Sequence, residues 1–207
     1  MPLCTTVRFS RRTFANNRLS SLISIIVLCA PFLAGCSKSG EGSHLHVKPA
    51  GGSEKEMPIK SSFAFPVTKS FTDVNQKITT AVSYNVYVAN YDLDSGNFAM
   101  TLDKPMASED QMRVVFSLVG EEGTNENSAL KTGTYSAKAD KYMKVETVGI
   151  VTRRGSADVK SWLDRSTLSG DVKITSVSGD PVSGDIDVTA GEASINGSFT
   201  ARILKRK

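Results

Sequence analysis

The feature that most constrains this chain of 207 residues is a period of two in its apolar residues. It is clearest where Ile78, Thr80, Val82, Tyr84, Val86 and Val88 alternate with Thr79, Ala81, Ser83, Asn85, Tyr87 and Ala89. Successive side chains of a strand point to opposite faces, whereas a helix needs a period near 3.6. Residues 78–89 therefore predict a long β-strand. The turn Asp94-Ser95-Gly96-Asn97 follows, and Phe98, Met100 and Leu102 alternate again, so these two strands are expected to form a hairpin. Met112, Val114, Phe116 and Leu118 give the next strand, ended by the polar loop from Gly120 to Ser128. Weaker strands fall around 133–139 and 143–152. Toward the C-terminus, 172–177, 182–189 and 194–204 are separated by Ser178-Gly179-Asp180-Pro181 and Ala190-Gly191-Glu192. Glycine supplies positive φ and proline presets the turn, so these segments predict a three-stranded meander.

One segment departs from the pattern. Ser156 reads as the cap of a short helix in which Val159, Trp162 and Leu163 fall at i, i+3 and i+4, turning the sole tryptophan toward the sheet. About eight antiparallel strands with one short helix predict an all-β fold, an antiparallel β-sandwich over residues 61–207. A lipocalin-like β-barrel is the alternative, because alternation does not fix whether a sheet closes.

The N-terminus has a different composition. Arg8, Arg11, Arg12 and Arg18 precede the apolar block 22–30, and residues 1–35 contain no Asp or Glu. A membrane-spanning helix needs about 20 apolar residues, so this shorter run reads as a signal-peptide core. The segment ends in Leu33-Ala34-Gly35-Cys36, which resembles the lipobox of bacterial lipoproteins. The resemblance implies cleavage before Cys36, lipidation of Cys36 with three acyl chains (palmitate-type anchoring), and, with Ser37 next, an outer-membrane destination in the cell envelope. Ser10-Arg11-Arg12-Thr13-Phe14 is similar to a twin-arginine export motif, with the general secretory route as the alternative. The expected layout is a signal peptide over 1–35, a lipidated cysteine and flexible linker over 36–60, and the β-domain over 61–207.

Charge and residue content narrow the function. Beyond residue 35, 21 basic residues face 21 acidic ones, which leaves no field for phosphate neutralisation and excludes nucleic acid as the expected partner. Cys4 and Cys29 fall in the signal, and no His or Cys follows residue 60. This removes Ser-His-Asp and Cys-His catalysis, disulfides and thiolate metal sites from the β-domain. His44-Leu45-His46 offers two imidazoles on a tether, a weak metal site. Asp92-Leu93-Asp94-Ser95-Gly96 is similar to the start of a calcium loop but reads more simply as a hairpin turn. Ser128-Ala129-Leu130-Lys131-Thr132-Gly133 contains the S-x-x-K and K-T-G strings of penicillin-recognising enzymes, but both share Lys131 in one loop, a coincidence. No catalytic residue, cofactor or metal site is expected. Surface recognition remains, with Tyr87 and Tyr91 as exposed rings and Glu121, Glu122 and Glu126 of the acidic loop as possible partner contacts. The sequence thus predicts a lipid-anchored, non-catalytic binding or assembly module whose partner is an envelope protein or glycan. A lipocalin-like carrier of a small apolar ligand is the alternative.

Overall fold

A computed structural model of the chain describes residues 43–93 and 104–204, and among these residues there is no helix. The export segment, Cys36, the Asp94–Asn97 turn and the strand expected at 98–102 lie outside the described residues. The strands are β1 (His44–Lys48), β2 (Lys55–Pro58), β3 (Ser61–Thr72), β4 (Ile78–Ala89), β5 (Met112–Glu122), β6 (Gly133–Ser136), β7 (Lys144–Arg154), β8 (Ala157–Trp162), β9 (Ser169–Val177), β10 (Pro181–Ala190) and β11 (Ala193–Ile203). The all-β expectation holds, as do β4, β5, β7 and the β9–β10–β11 meander.

The pairing forms a circuit. In the order β10-β9-β6-β7-β5-β4-β3-β11 each strand bonds to the next, and β11 pairs back to β10. Every junction of this circuit is antiparallel except two short parallel ones. Arg202 and Ile203 of β11 sit beside Phe63 and Ala64 of β3, and Ser136 of β6 sits beside Lys144 of β7. Leu204 N–H still donates to Ala64 O (2.8 Å), but two residues on stands Pro66, which has no N–H to extend the ladder. At both junctions a short extra strand takes the part of the edge left over. β1 lies along the first half of β11, and β8 along the second half of β7.

Two expectations are corrected here. The segment 36–60 is not all linker: β1 and β2 form an antiparallel pair added to β11, and Leu45, Val47 and Met57 are buried in the main core. The run His-Leu-His-Val-Lys does alternate, but two apolar residues between glycine-rich stretches are a faint signal. The helix expected after Ser156 is the strand β8. Arg154 pairs with Ala157 across the two-residue turn Gly155-Ser156, and the positive φ of Gly155 (59°) fits the first position of a type II′ hairpin turn.

The main core fills the space inside the circuit. Tyr135, Phe116, Phe199, Leu45, Leu118, Ile150, Ile174, Ile186 and Ile195 are fully buried. The rings of Phe116 on β5 and Phe199 on β11, strands that do not pair, meet edge to face at 5.2 Å. A second cluster covers the opposite face of the β3-β4-β5-β7 sheet, where Phe63, Ala89, Tyr91, Val115 and Val151 pack with Leu93 and Met106. Where strands cross most tightly, only glycine fits. A Cβ on Gly197 (φ 134°) would lie 2.4 Å from His44 O on β1, and one on Gly170 (φ 96°) 2.1 Å from Asp187 O on β10.

Phe116→Ala should lower the unfolding free energy by about 3–5 kcal/mol, because it removes a large ring from a site where β5 and β11 touch; urea denaturation measures this. Burial also raises the hydroxyl pKa of Tyr84, Tyr91 and Tyr135. A group raised on folding stabilises fully below its unfolded value, here about pH 10, and loses that contribution as pH climbs toward the folded value. Alkaline titration should therefore show these tyrosinates forming above the ordinary range, together with loss of near-ultraviolet circular dichroism.

Candidate functional site

Trp162 closes β8 and is the one exposed aromatic residue of the described surface, with 54% of its area open to solvent. Its neighbours explain its position. Across the ladder it faces Gly149 of β7, and a Cβ there would come within 2.7 Å of the indole ring. The ring therefore lies over the gap left by a missing side chain. The Lys160 ammonium stands 5.1 Å from the ring centroid, within cation–π range. Just beyond, Leu163 N–H donates to Val148 O (2.9 Å) and buries its side chain, which pins the end of the strand.

Two half-open grooves share Trp162 and Leu163. One, about 340 Å³, is lined also by Thr147, Val148 and Arg165. The other, about 360 Å³, runs toward the β10–β11 turn past Ser161, Asp164, Thr167, Ala190 and Glu192. Asp164 folds back on its own turn, taking hydrogen bonds from Ser166 N–H (2.9 Å) and Ser166 Oγ (2.8 Å). These bonds, the backbone one first, hold its carboxyl below the usual range. Glu192 accepts from Gly51 N–H at 3.2 Å. The arrangement offers an aromatic surface beside carboxylates, hydroxyls and an arginine, which suits recognition by contact.

The residues expected from sequence fall elsewhere. Tyr91 is not an exposed ring: it is buried in the outer cluster, with its hydroxyl accepting from Arg113 Nη1 (3.0 Å) and its carbonyl accepting from Ser61 Oγ (2.8 Å). Tyr87 is half-buried and stacked on Phe65 at 5.1 Å. The polar side of β4 is covered by a second layer, so alternation alone mistook it for a solvent face.

Of the acidic loop, Glu122 and Glu126 are exposed, while Glu121 binds Lys131 (2.5 Å). The loop also has a structural task. A bulge between Ala81 and Ser83 interrupts the β4–β5 register. Val82 N–H there donates to Thr124 Oγ1 (2.9 Å), which in turn donates to Glu121 O (2.5 Å). Replacing the whole loop would strand Val82 N–H, so folding would suffer as well as any contact.

His44 and His46 stand on β1, edge to face at 5.4 Å, with His46 Nδ1 3.5 Å from Glu54. No group of three His, Cys, Asp or Glu placed for a metal occurs among the described residues. Asp92 is engaged by Lys60 (3.1 Å), and the rest of the calcium-like stretch lies outside the described residues. Residues 128–133 run in one continuous segment into β6, with Lys131 on Glu121. The Trp162 site was not singled out as a contact from sequence. Its signal was the exposed side of a two-residue hairpin, hidden by a spacing that also suits a helix. Comparison with protein-family models, curated proteins and solved structures gives no match.

Because Trp162 is the only tryptophan of the chain, its fluorescence reports the site directly. Gly149→Ala should push the indole off β7, increasing its quenching by acrylamide, while destabilising the fold by about 1 kcal/mol. Unchanged quenching would mean that the ring does not rest on Gly149.

Proposed function

We propose that this chain is a bacterial envelope lipoprotein whose all-β domain is a non-catalytic binding or assembly module. The observation that carries this reading is the packed interior. Phe116 and Phe199 meet where a lipocalin-like carrier would hold its ligand, and Tyr135 is fully buried among the same residues. Binding is then left to the outer surface, and the ring and grooves at Trp162 support that part of the reading. The partner fits an envelope protein or a glycan.

We read the two antiparallel strand sets as the stacked sheets of a sandwich, β3-β4-β5-β7-β8 over β6-β9-β10-β11-β1-β2. Contact between rings of unpaired strands supports this. The closed circuit of pairing favours the second reading, a flattened barrel with a filled interior, since closure removes edges.

Export by the 1–35 signal and acylation at Cys36 rest on the lipobox-type residues Leu33-Ala34-Gly35-Cys36. With β1 starting at His44, only residues 37–43 separate the acylated cysteine from the sheet, a reach of at most about 29 Å at 3.3–3.6 Å per residue. The domain would sit close to the outer membrane. Three acyl chains contribute about 0.8 kcal/mol per buried CH₂, enough for stable anchoring.

Cys36→Ser should abolish acyl labelling and move the protein from the membrane to the soluble fraction of cell extracts. Integral attachment of that variant would reject the lipoprotein reading. Stoichiometric uptake of a fluorescent fatty acid by the purified chain would instead favour the carrier.

A further inference from the structure

Three strand edges remain outside the closed circuit or beside its short junctions, and two of them are guarded. The free part of β3 carries Pro66, which has no N–H to donate to a further strand. β2 is four residues long and ends in Pro58. Proline and short length are usual means of blocking further pairing. β8 is different. Among the described strands it pairs with β7 alone, it contains no proline, and its register with β7 runs unbroken from Ala157 to Trp162. β1, its counterpart at the other junction, is covered by β2. Nothing among the described residues pairs with the outer edge of β8.

The backbone groups on that edge can be named. Ala157 closes the hairpin turn against Arg154, and Leu163 N–H reaches Val148 O. Counting by two between them, residues 157, 159, 161 and 163 spend their N–H and C=O on β7. Those of Asp158, Lys160 and Trp162 point outward. We infer that this edge pairs antiparallel with the same edge of a second copy of the chain, in the register centred on Val159.

Charge selects that register. A two-fold antiparallel pair must match outward residues with outward residues, which allows centring on Val159, Lys160 or Ser161. Centring on Lys160 sets two ammonium groups opposite each other. Centring on Ser161 brings Asp158 opposite Asp164. Centring on Val159 sets Asp158 opposite Lys160 twice, Ala157 opposite Ser161, and the bulky Trp162 opposite Ser156 of the small Gly155-Ser156 turn. Opposite charges directly across a ladder stabilise it, and like charges destabilise it.

The groups around Asp158 are compatible with this pairing. Its carboxylate takes Met106 N–H (3.1 Å) and lies 3.6 Å from Arg153 Nη1, with its side chain still about a quarter exposed. Lys160 is held at hand by the Trp162 ring. Two six-residue edges form a small contact, so the pair is weak in dilute solution. Confinement of tethered copies raises their effective concentration. The unpaired edge of β8 belongs to the domain with or without a lipid anchor.

Cysteine trapping on the full-length chain in detergent tests the register. In the Val159-centred pair the two Val159 positions form a non-hydrogen-bonded pair with Cα atoms about 4.5 Å apart, inside the disulfide range of about 4.4–6.8 Å. Val159→Cys should therefore give a covalent homodimer under mild oxidation, above the background of the parent chain with Cys4, Cys29 and Cys36. Ser161→Cys should not, since its copies would lie about 13 Å apart at 3.3 Å per residue. Mixing Ala157→Cys with Ser161→Cys should yield the cross-linked heterodimer through two exposed positions, which guards against a folding defect at Val159. Adding Lys160→Glu to Val159→Cys should cut dimer yield about tenfold, as two attractive pairs become repulsive. Three results overturn the inference: no dimer above background from either Val159→Cys or the mixture, equal dimer from Val159→Cys and Ser161→Cys, or adducts containing only a different protein.

Discussion

The contact between Phe116 and Phe199 is the interaction on which the rest of the fold depends. The two rings belong to β5 and β11, which share no ladder, so their meeting at 5.2 Å joins strand sets that backbone bonding barely connects. The two parallel junctions contribute only two register pairs at β3–β11 and one at β6–β7. Side-chain packing, which is non-directional and grows with buried apolar area, must therefore hold the sets together. An aromatic pair of this geometry adds about 0.5–1.5 kcal/mol beyond the area it buries. A space packed with rings from both strand sets is the reason the proposed mode of action lies at the surface.

Edges form the second constraint. A circuit with weak parallel junctions leaves half-edges on β7 and β11, each taken by one short strand. Beside β11 the addition continues to β2 and ends in Pro58. Beside β7 it stops at β8, which leaves three outward residues, the exposed Trp162 among them. The same incompleteness thus produces both the grooves at Trp162 and the edge proposed to self-pair. Gly149 links the two features, because its missing side chain lets the indole lie against β7 while no described strand pairs with the outer edge of β8.

Much of this was legible in the residues. The long alternation of β4 and the glycine turns of the C-terminal meander are legible because each rests on a local rule: period two for strands, positive φ for turns. What failed did so for physical reasons. β8 was read as a helix because Val159, Trp162 and Leu163 also fit a helical stripe, and six residues are too few to separate the periods. β1 passed for linker because Leu45 and Val47 are only two apolar residues, buried by β11 from the far end of the chain. Tyr91 looked exposed because alternation assumes a sheet with one wet face, whereas Leu93 and Met106 cover the second face here.

The sequence by itself determined that the chain would be built of strands, where most of them turn, and that the β-domain would hold no cysteine or histidine chemistry beyond residue 60. These properties follow from neighbours in the chain, through side-chain direction, turn geometry and residue chemistry. Only the tertiary structure decided that β11 returns to β3, that Pro66 ends the β3–β11 junction, and that Thr124 supplies the acceptor for the Val82 bulge. Each of these joins residues far apart in the sequence. A local pattern shows that a backbone group or an apolar face needs a partner, but which distant segment supplies it depends on how all the strands fit together.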